Sequence, residues 1–279
     1  MGKKSRRIKP TAKIPAVIRA FHGIDQEGDI IALREFVTSA TATTTLRSGR
    51  TLRLVTMLPG NGVGLVRPDG EIWVALQVPH NNGDVSRDLA HVIELAETLE
   101  PGTIVKMTTP APGARLQDLI ADGAQFLIEN HADFNWWLTP EEADSEEALA
   151  AMRTVNDNLW QSERLASVES AWVTDMGDHV FLRWVMPRAD EDRLLDAFSR
   201  LKAEGQDKII DGTKLIGMFR AHGVLVPVWE LEGVSARDVA AAAPAFQESL
   251  QSALAIAEPL TSAQRSVRQE LISRQVTIR

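Results

Sequence analysis

Trp73–Pro79 reads WVALQVP and Phe181–Pro187 reads FLRWVMP, so an apolar strand that ends in proline occurs twice in the chain. Each copy is followed by apolar residues at helical spacing, and later by a turn, at Gly123 in the first copy and at Gly223 in the second. The two prolines lie 108 residues apart and the two turns 100 residues apart. A spacing that drifts so little predicts an internal duplication that builds two similar halves.

Turn residues and hydrophobic periodicity predict the same order of elements in both halves. The order is strand hairpin, helix, strand hairpin and helix, which predicts antiparallel sheets with helices on one face and therefore the α+β class. We expect the halves to pack on each other as a pseudo-dimer. Residues 30–37 fit either a short helix or a strand. The predicted hairpins cover residues 41–58, 63–78, 115–129, 169–185 and 214–231, and the predicted helices cover residues 84–99, 140–166, 191–204, 235–256 and 261–273.

The sequence TPEE at residues 139–142 marks the expected boundary between the halves. Threonine is a favourable N-cap, proline favours the first helical position, and glutamate three residues after the threonine completes a capping box. The expected segments are a disordered basic arm over residues 1–13, a first α+β half over 14–139, a second α+β half over 140–260 and a basic C-terminal helix over 261–279.

Charge is distributed unevenly along the chain. Residues 1–13 hold six basic residues and no acidic one, which leaves 24 basic against 38 acidic residues for the rest of the chain. Such an arm cannot bury enough apolar surface to fold alone, but it attracts phosphate groups without reading their sequence. It is therefore either a solvated tail or an electrostatic anchor for ribosomal or other RNA. The candidate nucleic-acid-binding residues are Lys3, Lys4, Arg6, Arg7, Lys9 and Lys13.

Composition argues against several classes of protein. Cysteine is absent, which excludes disulfides, thiolate catalysis and cysteine-based metal centres and suits a reducing cytoplasm. No apolar run approaches the roughly 20 residues that a membrane helix needs. The short apolar run after the basic start is interrupted by Arg19, unlike the core of a signal peptide. We therefore expect a cytoplasmic protein that does not enter a membrane.

No motif for catalysis, a metal or a cofactor stands out in the sequence. Residues 60–64 read GNGVG, but a strand is predicted after them, so a plain turn is favoured over a phosphate loop, which needs a following helix. Glu129, His131 and Asp133 alternate and could share one face, although zinc sites usually hold more histidine or cysteine. We therefore expect no catalytic residue, no metal and no cofactor, and we predict that the chain is not an enzyme.

The chain has seven tryptophans and no tyrosine. Trp73 and Trp184 occupy matching predicted strands and are expected in the core. Trp136 and Trp137 are adjacent, so on a strand they would point to opposite faces and only one would be buried in a single core. The other is either covered by the second half, which is favoured because large apolar patches are rarely exposed, or is an anchor for a protein partner. Trp136 and Trp137 are therefore the candidate partner-binding residues.

Three short segments give the chain a resemblance to an uncharacterised family of actinobacterial proteins of similar length. They read MGKKSRR at residues 1–7, ALRE at residues 32–35 and ATAT at residues 40–43. Members of that family are sometimes labelled SecA-like or topoisomerase-like. The chain shows no helicase or zinc-binding motif, and the absence of tyrosine excludes a topoisomerase nucleophile.

The predicted order of elements also resembles the YbjN-like and type III secretion chaperone-like fold. Such units typically pair as dimers, and a duplicated chain could hold both in one molecule. This resemblance implies protein binding rather than catalysis.

Three hypotheses for the function follow. The favoured one is a non-enzymatic, chaperone-like adaptor that binds an unknown protein partner. The second is a ribosome- or RNA-associated factor anchored by residues 1–13. The third is an enzyme with an unrecognised site between the halves, where a duplicated fold would form a cleft.

Overall fold

The computed structural model describes residues 13–78, 81–157, 159–273 and, by their backbone, 276–278. Over these residues the chain forms two β-sheets and eight α-helices. The helices span Glu27–Glu35 (α1), Val85–Glu97 (α2), Leu116–Leu119 (α3), Pro140–Ala143 (α4), Glu146–Asn156 (α5), Glu191–Ala203 (α6), Ala236–Ala255 (α7) and Ser262–Ser273 (α8). The strands span Ala40–Thr45 (β1), Thr51–Val55 (β2), Gly64–Val66 (β3), Ile72–Ala75 (β4), Leu127–Asn130 (β5), Gln161–Arg164 (β6), Ala171–Asp175 (β7), Val180–Trp184 (β8), Thr213–Ala221 (β9), Val224–Leu231 (β10) and Val276–Ile278 (β11).

The first sheet contains five strands in the order β3-β4-β2-β1-β5. The hairpins β1–β2 and β3–β4 are antiparallel, as the sequence predicts, and β5 adds antiparallel to β1. β2 and β4 are parallel, so the prediction of an antiparallel sheet is wrong at this pair. The reason is topological, because β3 lies at the outer edge of the sheet and the chain returns through β4 in the direction of β2.

The second sheet contains six strands in the order β11-β9-β10-β8-β7-β6. β6, β7 and β8 form an antiparallel meander, and β10 pairs antiparallel with both β8 and β9. The predicted turn closes the β9–β10 hairpin, where His222 and Gly223 both have the positive φ that a tight hairpin turn requires. β11 adds to the edge strand β9 in the parallel direction.

Helices α6, α7 and α8 cover one face of the second sheet. Trp184 and Trp229 of the sheet pack there against Phe198 of α6 and Phe246 of α7, with neighbouring ring centroids 5.6 to 6.4 Å apart. The prediction that Trp184 lies in the core is confirmed. Pro244 lies inside α7, which continues through it to Ala255.

Helix α1 lies between the two sheets and is buried along most of its length. Residues 30–35, which the pattern leaves open between helix and strand, therefore belong to a helix. Its apolar side chains form one core with inward-facing residues of both sheets, including Leu54, Val74, Trp172 and Val226.

Charged side chains also join α1 to the second half. Glu27 accepts two hydrogen bonds from Arg19, at 2.8 and 2.7 Å, and Arg19 donates a third to the carbonyl of Pro187 at 2.5 Å. At the other end of the helix, a carboxylate oxygen of Glu35 lies 2.7 Å from Nε2 of His222. These contacts fix α1 against the second sheet at both ends.

The predicted hairpin over residues 115–129 is wrong. Its first part is the short helix α3, in which Asp118 accepts a hydrogen bond from the backbone N–H of Arg115 and Leu116 is fully buried. Its second part is β5, which pairs with β1 instead. Leu116 and Leu119 are three residues apart, a spacing that brings them to one side of a helical turn but to opposite faces of a strand.

The predicted duplication is not supported by the strand pairings. β4 lies between a parallel and an antiparallel strand, whereas β8 lies between two antiparallel strands. The turn at Gly223 joins two paired strands, but the turn at Gly123 joins α3 to β5. Pro79 itself lies outside the described residues. The α+β class with two sheet-containing halves is confirmed, but the halves are not equivalent units related by a dyad. The expected segment limits at residues 139 and 260 stay predictions.

Candidate functional site on the outer face of the first sheet

The two groups of predicted site residues are the basic arm and the adjacent tryptophans, and the structure describes mainly the second group. In the basic arm, Lys13 is described and exposed. Trp136 and Trp137 lie in a 3₁₀ turn over Asn135–Trp137, against the face of the first sheet that is turned away from α1. Outside the described residues lie Lys3, Lys4, Arg6, Arg7 and Lys9.

Both tryptophan side chains make hydrogen bonds within the chain. The indole N–H of Trp137 donates to the carbonyl of Met57 at 3.0 Å, and the indole N–H of Trp136 donates to Oγ of Ser39 at 2.9 Å. Trp137 is only 8% exposed and stacks on Phe134 with ring centroids 4.4 Å apart, while Trp136 is half-buried. Trp137 is therefore the tryptophan that is buried, and Trp136 keeps a solvent-exposed part, so partner binding by these residues stays a prediction. Because the two lie in a turn, the argument from opposite faces of a strand does not apply.

The segment around these tryptophans covers one part of the outer face of the first sheet. Val55 and Ala75 of the sheet pack beneath Phe134, Trp137 and Met152 in a core cluster of their own. Thr139 begins helix α4 as predicted, because its hydroxyl accepts from the N–H of Glu142 and the carboxylate of Glu142 accepts in return. The predicted helix over residues 140–166 is wrong beyond Asn156, since strand β6 follows α4 and α5.

Beside the covered part, one line of outward side chains crosses the whole sheet. Strand register places Trp73 beside Leu65 and Arg53, Arg53 beside Thr43, and Thr43 beside Leu127. A β-bridge adds Ile104 beside Leu65. Because directly paired residues project to the same face of a sheet, these six side chains form a continuous row. We call them the outer row: Ile104, Leu65, Trp73, Arg53, Thr43 and Leu127.

The two ends of the outer row are exposed apolar side chains. Ile104 is 68% exposed and Leu127 is 64% exposed, and both are among the most exposed large apolar side chains of the described residues. Trp73, near the middle of the row, is only 5% exposed, which agrees with its prediction as a core residue. The row therefore runs from one exposed apolar end to the other across a buried aromatic centre.

Two arginines contact the ring of Trp73. The guanidinium carbon of Arg67 lies 4.4 Å from the ring centroid and that of Arg53 lies 5.6 Å from it, both within cation–π range. Arg67 also donates to the carbonyl of Trp137 at 2.9 Å. Arg67 forms no ion pair with any described residue, so its charge is not neutralised by a neighbouring carboxylate.

Arg53 is only partly satisfied by its neighbours. Its Nε lies 3.2 Å from a carboxylate oxygen of Glu71, in a geometry that makes no hydrogen bond, and a carboxylate of Glu129 lies 4.0 Å from Nη1. The hydroxyl of Thr43, the next residue in the row, is also buried without a hydrogen-bond partner. Buried polar atoms without partners cost free energy, although Nη2 of Arg53 does donate to Glu71 at 3.4 Å.

His131 lies at the covered edge of the same face. Its ring centroid is 5.3 Å from that of Trp136, and its Nε2 is 3.1 Å from the hydroxyl of Thr41. Desolvation is the largest influence on this side chain and lowers the pKa of His131 below 6.5. The imidazole is therefore neutral at pH 7.

The alternating triplet does not form a metal site. Asp133 uses its carboxylate to accept from the backbone N–H and the side-chain amide of Asn135. Within the part of the chain that the structure describes, no three histidine or acidic side chains are close enough to hold a metal ion. The glycine-rich residues 60–64 lead into β3 rather than into a helix, as predicted.

Comparison with known proteins identifies a family but not a function. Residues 20–279 match the model of a family of unknown function, DUF5926. The chain belongs to this family. No curated protein and no solved structure matches the chain significantly. The resemblance to an uncharacterised family is thus confirmed in that general form, and the comparisons do not support the SecA-like, YbjN-like or actinobacterial parts of it.

Membership in DUF5926 does not indicate which residues are functional, so the geometry alone identifies a candidate site. None of the helices in the described parts of the chain is long and apolar enough to cross a bilayer. Sequence reasoning missed Arg53, Arg67, Ile104 and Leu127. One weak indication of Arg53 is present in the sequence. Apolar and polar residues alternate at the start of TLRLV over Thr51–Val55, and the central outward position of this strand is an arginine. The row itself depends on the register between five strands and a bridge.

Proposed function

We propose that this DUF5926 protein is a non-enzymatic, cytoplasmic adaptor that binds another protein through the outer row. The observation that carries the proposal is the row together with Arg67, because the buried ring of Trp73 holds two arginines between two exposed apolar ends. The proposed partner presents apolar side chains to Ile104 and Leu127 and at least one carboxylate to Arg67.

The composition of the row supports this role. Arginine is enriched among the residues that carry most of the binding energy in protein interfaces, and Arg53 and Arg67 are held in place by the buried ring of Trp73. Such residues work best when the surrounding contacts exclude water, and Ile104 and Leu127 are placed to do so on either side. The rigid sheet holds all of these side chains in one plane, so little ordering is needed when a partner binds.

The charge of Arg67 supports a partner with a carboxylate at this position. Arg67 makes one hydrogen bond to a carbonyl and lies over the ring of Trp73, which leaves further N–H groups of the guanidinium for an acceptor. A charge-assisted hydrogen bond to a carboxylate is stronger than one to a neutral acceptor. Such a bond, shielded from water between the apolar ends, would increase the affinity of the partner and fix its position on the sheet.

Site-specific photo-crosslinking tests the proposal. A photoreactive amino acid is placed at Leu127 and, as a matched control, at Ile256, which is 43% exposed and lies in the second half. Each variant is irradiated in cells of the source organism, and cross-linked proteins are separated and identified. We expect a discrete cross-linked species from position 127 that is absent from position 256.

Two substitutions make the test specific. Ile104→Asp together with Arg67→Glu should abolish the cross-link from position 127, because they remove one apolar end and reverse the charge that meets the partner. Circular dichroism confirms that the variant is folded. A cross-link from position 127 that survives both changes, or the same species from both positions, contradicts the proposal. Loss of the species after ribonuclease treatment or deletion of residues 1–13 would assign binding to the basic arm instead.

A further inference from the structure

The second half contains a cavity that the proposed function does not use. It lies where the end of β8 passes over α6 and α7, and its volume is about 70 Å³. The cavity opens to solvent between the two helices and the residues that follow β8. Its lining includes Trp184, Met186, Arg188, Ala189, Leu194 and Leu250.

The floor of the cavity is apolar and rigid. Trp184, Leu194 and Leu250 are each less than 5% exposed and belong to the main core of the second half. An engineered cavity of about 150 Å³ with similar walls stays dry and holds a benzene molecule. In proportion, a cavity of half that size accepts an aliphatic end of about three carbons, such as the branched end of a valine or leucine side chain. Met186 lines the wall, and its flexible thioether adapts to the shape of an apolar guest.

The mouth of the cavity continues into a polar depression of about 310 Å³. Arg188, Ala189, Gln251 and Leu254 line both spaces, and the depression is also lined by Arg193 and by Asp190, whose carboxylate caps the N-terminus of α6. Arg188 is neutralised by Glu169, which accepts two hydrogen bonds from it at 2.6 and 3.0 Å.

Arg193 differs from Arg188, because it has no ion pair with any described residue. Among the described residues its guanidinium donates one hydrogen bond, to the carbonyl of Leu254 at 2.8 Å, while its backbone N–H donates to the carboxylate of Asp190, the N-cap of α6. The acidic residues of the first turn of α6 are engaged elsewhere, since Glu191 pairs with Arg220 and Asp192 accepts from Arg268. The depression therefore offers an arginine without a carboxylate partner next to an apolar cavity.

We propose that this cavity binds an aliphatic carboxylate. The apolar end enters between Trp184 and Leu250, and the carboxylate lies in the depression and accepts hydrogen bonds from Arg193. The same chemistry occurs in a free branched- or short-chain carboxylic acid and in the C-terminal leucine or valine of a peptide. The volume of the cavity admits one such side chain, so both sources fit.

Ligand-detected NMR with the full-length chain tests the proposal, with 4-methylpentanoate as the probe. The neutral 4-methylpentanamide has the same apolar part and no charge, so we expect it to bind about tenfold more weakly. A short peptide that ends in leucine, and the same peptide with an amidated end, distinguish the two sources. Tighter binding of the free peptide identifies a protein C-terminus as the ligand, and tighter binding of the free acid identifies a small molecule. Either result supports the site if it depends on the free carboxylate.

Two variants locate the binding. Arg193→Gln should weaken 4-methylpentanoate about tenfold and leave the amide unchanged, because the lost interaction is charge-assisted. Ala189→Leu fills the passage between cavity and depression and should abolish binding of both. Arg237→Gln and Ala245→Leu are the matched controls, since both residues are exposed on α7 and neither lines the cavity.

The proposal is overturned by any of three results. One is the absence of saturable binding of the acid and of the free peptide up to about 10 mM, where even a weak site of this size would be occupied. Another is equal affinity of the acid and the amide. The third is unchanged binding in the folded Arg193→Gln and Ala189→Leu variants.

Discussion

Asp29 in α1 accepts two hydrogen bonds from the guanidinium of Arg164 in β6, each at 2.9 Å, although 135 residues separate the two. The carboxylate of Asp29 is almost fully buried and also accepts from the indole N–H of Trp172 at 3.1 Å. The Asp29 carboxylate in turn holds the pKa of Arg164 above its usual value, chiefly through these hydrogen bonds. This bidentate pair joins the two halves at the centre of their contact.

Removal of Asp29 should therefore weaken the whole fold. We expect Asp29→Ala to lower the free energy of unfolding by about 2–4 kcal/mol, because it leaves the guanidinium of Arg164 and the indole of Trp172 without an acceptor. Urea unfolding followed by circular dichroism measures the change. The matched control is Glu169→Ala, which breaks the exposed pair with Arg188 and should cost less than about 1 kcal/mol. Equal losses of unfolding free energy in the two variants would show that the buried pair stabilises the fold no more than the exposed pair does.

Gly28 should tolerate no side chain. A Cβ at this position would lie 2.5 Å from Oγ and 2.7 Å from Cβ of Ser170. We expect Gly28→Ala to destabilise the chain by about 1–3 kcal/mol, since two buried backbones would have to separate. Gly62→Ala is the control, because the nearest atom to its Cβ would be at an ordinary 3.4 Å.

A second substitution makes the prediction for Gly28 specific. Ser170→Gly removes both clashing atoms and suits the positive φ of 56° at that position. In a double-mutant cycle, Ser170→Gly should restore most of the stability that Gly28→Ala removes. Additive losses in the double variant would place the cause of the destabilisation somewhere other than this contact.

His131 should make stability depend on pH. Desolvation lowers the pKa of His131 in the folded chain below the ordinary value of 6.5, so the unfolded chain binds a proton at a higher pH than the folded chain does. Its contribution to stability is therefore fully present above about pH 6.5 and is lost as the pH falls through the folded-state pKa. Urea unfolding at a series of pH values between about 7.5 and 5 should show a smaller decline for His131→Gln than for the natural chain. His22→Gln, at an exposed position, serves as the control and should retain the full decline.

Replacing a buried tryptophan should destabilise the chain far more than replacing an exposed one. Trp137→Ala is expected to cost about 3–5 kcal/mol, because the side chain is buried against Phe134 and its N–H bonds the carbonyl of Met57. Trp160 is 50% exposed, and Trp160→Ala should change the free energy of unfolding by less than about 1 kcal/mol. Thermal and urea unfolding of both variants provide the measurement. A large loss in Trp160→Ala would reveal a contact of that ring that matters for the fold.

Most secondary structure could be predicted because its signals are local. The hairpins β1–β2, β3–β4, β7–β8 and β9–β10 follow alternation and turn residues, and the capping boxes at Thr139 and Ser235 begin helices where predicted. The failures involve non-local contacts. The predicted turn at Gly123 is present, but the strand that follows it, β5, pairs with β1, which lies more than 80 residues earlier in the chain.

The candidate site shows the same division. The sequence identified Trp136 and Trp137 as candidate partner-binding residues, since two adjacent tryptophans are difficult to bury in a single core. It could not identify Arg53, Arg67, Ile104 or Leu127, because each is unremarkable in its own segment. Arg53, Ile104 and Leu127 gain significance from their alignment in one row, which requires the register of five strands and one bridge, and Arg67 gains it from its contact with Trp73 of that row.

The amino-acid sequence alone determined the α+β class, the absence of cysteine chemistry and the start of the helices at Thr139 and Ser235, since composition, periodicity and caps act within a few residues. Tertiary structure alone decided that β2 and β4 run parallel, that α1 is buried between the sheets and that six side chains align across one face. The physical reason is that strand neighbours and register are set by burial and pairing between residues far apart in the chain. Such contacts leave no local signature, so only the folded molecule shows which surface is available to a partner.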